Sequence, residues 1–178
     1  LHELLSLQGD ESLTNDELHF VIVHQSFELW FKLILRELEF ARSLFGMDVV
    51  QEQELSGAVS SLRRISTILS VAADHFKVME TLPTREFLEF RKKLMPASGG
   101  QSAQMRQIEV LFGLDERDRV PLGEQDWHMN ILREADGSEG PAYKRVTAQM
   151  AAGPSLKETI DNWLLRTPID GVAHDDPG

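Results

Sequence analysis

From Asp16 to Phe45 the apolar residues fall on most sides of a helix rather than on one stripe. Val21-Ile22-Val23, Leu29-Trp30-Phe31 and Leu33-Ile34-Leu35 are consecutive triplets, and Leu38, Ala41, Leu44 and Phe45 continue the pattern. Neither Gly nor Pro interrupts the stretch. Thr14-Asn15-Asp16 offers N-cap chemistry before it, and Gly46 is a natural stop after it. The β-branched run Val21–Val23 favours a strand locally, but the length and the helix formers around it outweigh that preference. A helix apolar on most sides is a central helix, packed on several faces. Between Gln51 and Glu80 the pattern changes. Leu55, Val59, Leu62, Ile65, Leu69, Ala72, Phe76 and Met79 recur at steps of three and four, which predicts a second long helix with a single apolar seam.

Shorter helices follow. One runs from Pro83-Thr84 to about Leu94, broken by Pro96. Ser98-Gly99-Gly100 reads as a turn, and Gln101 to Phe112 resumes helix up to the stop at Gly113. Beyond that point the signal weakens, with short helices predicted over 127–134, 142–151 and 155–165. No stretch alternates as a strand does. The expected fold is all-α: one domain over 1–178, a helical bundle around two long central helices.

Composition narrows the function. The 178 residues are 42% hydrophobic and 26% charged, ordinary values for a globular chain. There is no cysteine. That excludes a disulfide framework, a thiolate zinc site, an iron–sulfur cluster and a cysteine nucleophile, and it fits a reducing, cytoplasmic setting. A net charge of −11 with no basic cluster argues against nucleic acid. The apolar runs fall short of the ~20 residues of a membrane span, and no signal peptide is visible, so a membrane is not an expected partner. The chain opens at Leu1 and closes on Asp175-Asp176-Pro177-Gly178, which reads as a segment of a longer protein with residues missing on both sides.

Two polar residues in apolar helices stand out. Phe20, His24, Phe27 and Phe31 recur at i, i+4, i+7 and i+11, so His24 shares one helix face with three phenyl rings. An imidazole there is either a core histidine satisfied by Glu28 or a carbonyl, or a group that meets a ligand. Arg91 follows Phe87 and Phe90 and precedes the Pro96–Gly100 turn. It is either a surface arginine favoured by a helix C-terminus or a bidentate carboxylate clamp. No catalytic triad, Walker loop or HExxH motif is present.

The segment from Phe20 through His24-Gln25-Ser26-Phe27-Glu28-Leu29-Trp30-Phe31-Lys32 to Leu38 resembles the HQ-x-x-ELW-[FL]-K motif of tryptophan 2,3-dioxygenases. Phe87-Leu88-Glu89-Phe90-Arg91 with Pro96-Ala97-Ser98-Gly99-Gly100-Gln101-Ser102 resembles the family's second signature, FR followed by P-[AS]-SGFQS. Leu4-Leu5-Ser6-Leu7-Gln8 is similar to its N-terminal LLSLQ stretch. The resemblance runs from residue 1 to about 114 and more loosely over 156–168.

It implies an all-helical, haem-dependent enzyme, usually a tetramer, that inserts both atoms of O2 across the indole C2–C3 bond of L-tryptophan. The cofactor implied is haem b, and the partners are an indole amino acid, O2 and further copies of the chain in a dimer or tetramer. By motif position, His24 would meet the indole N–H as the catalytic group on the distal side. Phe20 and Phe87 would wall the indole, and Arg91 would hold the carboxylate. Trp30, Ser98, Gly99 and Gly100 would border the haem. Three departures are visible. Phe87 stands where many bacterial members have Tyr. Gly100 stands where the motif has Phe, which opens volume that a substituted tryptophan could use, with one oxygen atom inserted rather than two. No residue matches the family's proximal histidine or its GTGGS-type loop: His75, His128 and His174 all lie outside the motifs, so the metal ligand is unassigned. A non-catalytic helical domain that binds an indole or mediates assembly is the alternative from another class.

Overall fold

A computed structural model describes residues 1–9, 11–94, 99–118 and 129–168. Among these residues the chain is all-α, with no strand. A one-turn helix α1 (His2–Leu5) precedes six longer ones: α2 (Asn15–Phe45), α3 (Glu52–Met79), α4 (Thr84–Leu94), α5 (Ala103–Phe112), α6 (Pro141–Ala151) and α7 (Leu156–Arg166).

Local chemistry sets the ends of α2. The Thr14 hydroxyl accepts from the Glu17 amide while the Glu17 carboxylate accepts from the Thr14 amide, a reciprocal capping box. At the other end the Arg166 guanidinium of α7 donates to the carbonyls of Phe45, at 2.7 Å, and Met47. A helix leaves its last carbonyls unpaired, and a cation there satisfies them. α5 starts on the Ser102 hydroxyl and ends at Gly113, whose φ of +83° is the left-handed stop that glycine adopts freely. A Cβ at Gly113 would also lie 2.5 Å from the Ser155 hydroxyl, so α7 can approach only because none is there.

The predicted central helix is observed. α2 packs against α3, α4, α5 and α7. Ile34, Leu38 and Ala41 are fully buried, and Ala58, Ile65, Ile68, Ile108, Leu111 and Leu156 close around them. α3, however, packs along only part of its predicted seam: Leu55, Leu62, Ile65 and Ala72 face the core. Its buried ridge is Ala58, Ser61, Ile65, Ile68 and Ala72, while Val59, Leu69 and Phe76 are exposed. The ridge is rotated toward small residues, because Ala58 and Ser61 let α3 come close to α2 where bulkier side chains could not.

Two further expectations are corrected. A helix over 127–134 is not observed: 127 and 128 lie outside the described residues, and the remainder holds a single 3-10 turn, Asn130–Leu132. Arg133 there reaches Gly137, Glu139 and Tyr143, closing a loop rather than extending a helix. The apolar content of α2 was also underrated: one 18-residue stretch is long and apolar enough to cross a membrane, although the helix buries Ile34, Leu38 and Ala41 within the protein.

One buried carboxylate links α2 to α3. Burial pushes the Glu37 carboxyl up, and the Ser61 hydroxyl and the Arg64 guanidinium outweigh that, holding it below 4.5. A group whose pKa is lowered on folding contributes stability above its unfolded value and loses it as pH falls through the folded one. Stability to urea should therefore fall as pH drops below about 4.5, and the fall should be shallower in Glu37→Gln. Equal slopes in the two proteins would remove Glu37 from the acid response.

Candidate active site

Phe20 and His24 stand one turn apart on α2, with ring centroids 4.1 Å apart. α4 lies across them. Phe87 is 5.8 Å and Phe90 5.6 Å from the Phe20 ring, and Phe87 and Phe90 meet edge to face at 5.6 Å. Phe90 is buried beneath the others. Two α4 side chains one turn apart thus straddle one α2 ring, because positions i and i+3 share a helix face. Arg91 points back over the outer phenyl, its guanidinium carbon 5.5 Å from the Phe87 centroid.

α4 is tied to α2 by an ion pair, Lys93 Nζ to Glu17 at 2.7 Å. The Lys93 ammonium, followed by the Thr14 backbone N–H, holds the Glu17 carboxyl below its ordinary value. Arg91 itself pairs with no carboxylate among the described residues, although Glu86 and Glu89 share its helix; Glu89 is taken by Arg85. A cation fixed over an aromatic face with no internal counterion is free to take an external anion.

His24 differs from its expected setting. It is exposed, not enclosed in the core, because α4 covers only one side of this stretch of α2. Its Nδ1 lies 2.8 Å from the Phe20 carbonyl oxygen. A carbonyl can only accept, so Nδ1 carries the proton, and in the neutral ring Nε2 is left as an acceptor. Phe27 and Phe31, on the same helix face, have other neighbours: Phe27 meets His75 and Phe76 near the end of α3. The aromatic face is therefore divided, and only its first half belongs to this cluster.

Of the other expected site residues, Trp30 packs against the hydrophobic core. It lies about 120° around α2 from His24, at 100° per residue. Ser98 lies outside the described residues. Gly99 and Gly100 open a 3-10 turn, Gly99–Gln101, and Gly100 is buried.

Motif reading had not singled out the contact nearest that turn. Gln104 Nε2 donates to both the backbone carbonyl of Glu28, at 2.8 Å, and its carboxylate, at 2.7 Å. This latches the first turn of α5 one turn beyond His24, and Glu28 is not the His24 partner. Gln104 continues the second signature and Glu28 sits in the first, and that shared membership was the available signal. Gln25, beside His24, accepts at 2.7 Å from Gln8 Nε2 and donates to the Leu7 carbonyl at 3.0 Å, fastening the N-terminal segment there.

The arrangement combines a phenyl wall, one imidazole acceptor and one guanidinium unpaired among the described residues. For a bare metal ion it is unsuited: no group of three or more His, Asp or Glu that could hold one occurs among the described residues.

The sequence model described as tryptophan 2,3-dioxygenase matches residues 1–175. The tryptophan 2,3-dioxygenase of Sorangium cellulosum is 53% identical over 176 residues, which is 96% of this chain and 43% of that protein. Tryptophan 2,3-dioxygenase 2 of Ralstonia nicotianae is 48% identical over 176 residues, 96% of this chain and 48% of its own length. The enzyme of Alteromonas mediterranea is 36% identical over 155 residues, covering 87% and 41%. The chain spans a little under half the length of these curated relatives. A match across nearly the whole sequence, with both motif segments meeting in one cluster, leads to one conclusion: the chain belongs to the tryptophan 2,3-dioxygenase family.

Proposed function

We propose that this chain forms the substrate-binding part of a haem-dependent dioxygenase that converts L-tryptophan and O2 to N-formylkynurenine. In that reaction the indole C2–C3 bond breaks and each of its carbons takes one oxygen atom, so both atoms of O2 remain in the product. The observation that carries the reading is the pairing of an imidazole acceptor with a guanidinium that has no carboxylate partner among the described residues, on one phenylalanine cluster. L-Tryptophan has the complementary parts: an aromatic body, one N–H donor and a carboxylate.

Each residue then has a physical task. Phe20 and Phe87 flank the indole and exclude water from it. His24 Nε2 accepts the indole N–H, holding that proton on the ring nitrogen and fixing the ring's rotation. Arg91 takes the carboxylate with two parallel hydrogen bonds, which a lysine cannot reproduce. Holding the substrate at two ends gives it one orientation, which is worth several powers of ten in rate.

Family membership implies haem as the cofactor. Phe20, Phe87 and His24 would line the substrate side of a bound haem, and Gly99 and Gly100 carry no side chain to obstruct close approach. Among the described histidines, His24 is assigned to the indole in this reading and His75 lies edge-on to Phe27, so neither is assigned to hold the iron. Haem, when bound, supplies the activation of O2, and the distal polarity set by the protein tunes it. Ser98, Gly99 and Gly100 remain the proposed haem border, while Trp30, packed against the core, is withdrawn from it. Assembly into a homo-oligomer and a cytoplasmic location belong to the same proposal, and light scattering reads the first.

The test is an absorption spectrum of the haem-supplemented protein under reducing, aerobic conditions. A Soret band that shifts on adding L-tryptophan, with N-formylkynurenine accumulating, supports the proposal; no haem uptake contradicts it. In His24→Ala the indole N–H loses its acceptor, and affinity for L-tryptophan should fall about tenfold, the value of one lost hydrogen bond. Unchanged affinity would remove His24 from the site.

A further inference from the structure

We propose that Gln104 is a positioning residue that keeps the Glu28 carboxylate off His24, so that His24 Nε2 stays a bare acceptor. The proposal rests on the reading in which Nε2 accepts the indole N–H. One turn away from His24 on α2 stand Phe20, Val21, Phe27 and Glu28, at i−4, i−3, i+3 and i+4. Glu28 alone among them is charged. Helical side chains lean toward the helix N-terminus, so Glu28 reaches back toward the turn that carries His24. A free carboxylate there is a ready acceptor for an imidazole N–H. Nδ1 already gives its proton to the Phe20 carbonyl at 2.8 Å, so a free carboxylate would draw a second proton onto Nε2. The ring would then donate from both nitrogens, and the indole N–H would face a donor instead of an acceptor. From α4 the cluster carries Arg91 over Phe87, a cation that disfavours a second positive charge nearby.

The contact with α5 prevents that pairing. The Glu28 carboxylate accepts from Gln104 Nε2 at 2.7 Å, and the same amide nitrogen donates to the Glu28 backbone carbonyl at 2.8 Å. A primary amide has two N–H groups, and both are used here to hold the carboxylate beside its own backbone, turned to α5. Gln104 is itself fixed. It stands in the first turn of α5, whose start is set by the Ser102 hydroxyl accepting from the Met105 amide at 3.1 Å. Glutamine engages the carboxylate without adding a charge of its own to the cluster. Lys32, exposed and four residues beyond Glu28, is the competing partner for a carboxylate set free. The state of the His24 ring is thus tied to the seating of α5 on α2, through a contact spanning 76 residues of sequence.

The experiment reads the ring nitrogens of His24 by long-range proton–nitrogen NMR of the 178-residue chain at neutral pH, without haem or substrate. The His24 signal is the one missing from His24→Ala. In the parent Nε2 should be unprotonated. In Gln104→Leu its resonance should move toward the protonated position. Adding Glu28→Gln to Gln104→Leu should bring it back, because no carboxylate remains to hold the proton. Gln104→Lys, which keeps an N–H donor for Glu28, should match the parent. A latch that merely seated α5 would show no such recovery, since the double variant has lost the contact as fully as the single one. Circular dichroism of each variant checks that the fold survives. In the haem-supplemented protein an about tenfold preference for L-tryptophan over 1-methyl-L-tryptophan should be lost in Gln104→Leu and regained in the double variant. A bare Nε2 in Gln104→Leu overturns the proposal, with Lys32 or water then taking Glu28. A proton that persists on Nε2 in the double variant overturns it as well. The expected NMR pattern without any such preference in the parent supports the role of Gln104 and contradicts the substrate reading alone.

Discussion

Replacing Leu38 with alanine should destabilise the chain by about 2–5 kcal/mol, lowering Tm by on the order of 10 °C. Leu38 is fully buried where α2 meets α3, α5 and α7, among Ile34, Ala41, Ala58 and Leu111. The removed methyl groups lose their transfer free energy, and the surrounding helices cannot collapse into the gap, because Ala58 already brings α3 close. The contrasting variant is Leu29→Ala, on the same helix but half exposed, which should change stability by no more than about 0.5 kcal/mol. Urea unfolding of the two reads the difference. Equal effects would mean that α2 is not buried on the side described.

The second large effect concerns Arg91. In Arg91→Ala the dissociation constant for L-tryptophan should rise about a hundredfold, roughly the loss of 3 kcal/mol from a charge-assisted, bidentate contact. Arg91→Lys should recover only part of that, because an ammonium offers a point charge where the guanidinium offers two parallel donors. Stability should barely move, since Arg91 is exposed and touches only the Phe87 face. A variant that binds L-tryptophan as the parent does would place the carboxylate elsewhere.

The long helices were legible because their signals are local. Thr14, Glu17 and Gly46 mark the ends of α2 within a few residues of where they act, and Gly113 and Ser155 do the same for α5 and α7. The packing face of α3 was legible only in part. Ala58 and Ser61 carry little hydrophobic weight in a pattern, yet they are buried because a close helix approach needs small side chains, while the bulkier Val59 and Leu69 are left outside. The site was half legible. Phe20, His24, Phe87 and Arg91 were named from motifs, and their meeting is a property of how α4 crosses α2. The exposure of His24, the burial of Phe90 beneath the cluster and the Gln104–Glu28 latch, 76 residues apart in sequence, come from tertiary packing and leave no periodic trace. Around Arg133 the chain is held by loop contacts to Gly137 and Tyr143, which helical periodicity cannot predict.

The account rests on one claim, that the α2–α4 cluster recognises the indole N–H through His24 and the carboxylate through Arg91. Its most direct test is the affinity of the haem-supplemented protein for L-tryptophan, tryptamine and 1-methyl-L-tryptophan, in the parent and in His24→Ala and Arg91→Ala. The parent should bind L-tryptophan tightest. Arg91→Ala should lose the preference over tryptamine, which lacks the carboxylate, and His24→Ala the preference over the N-methyl compound, which lacks the donor. If both variants keep the parent's preferences, the cluster does not read the substrate and the assignment is wrong.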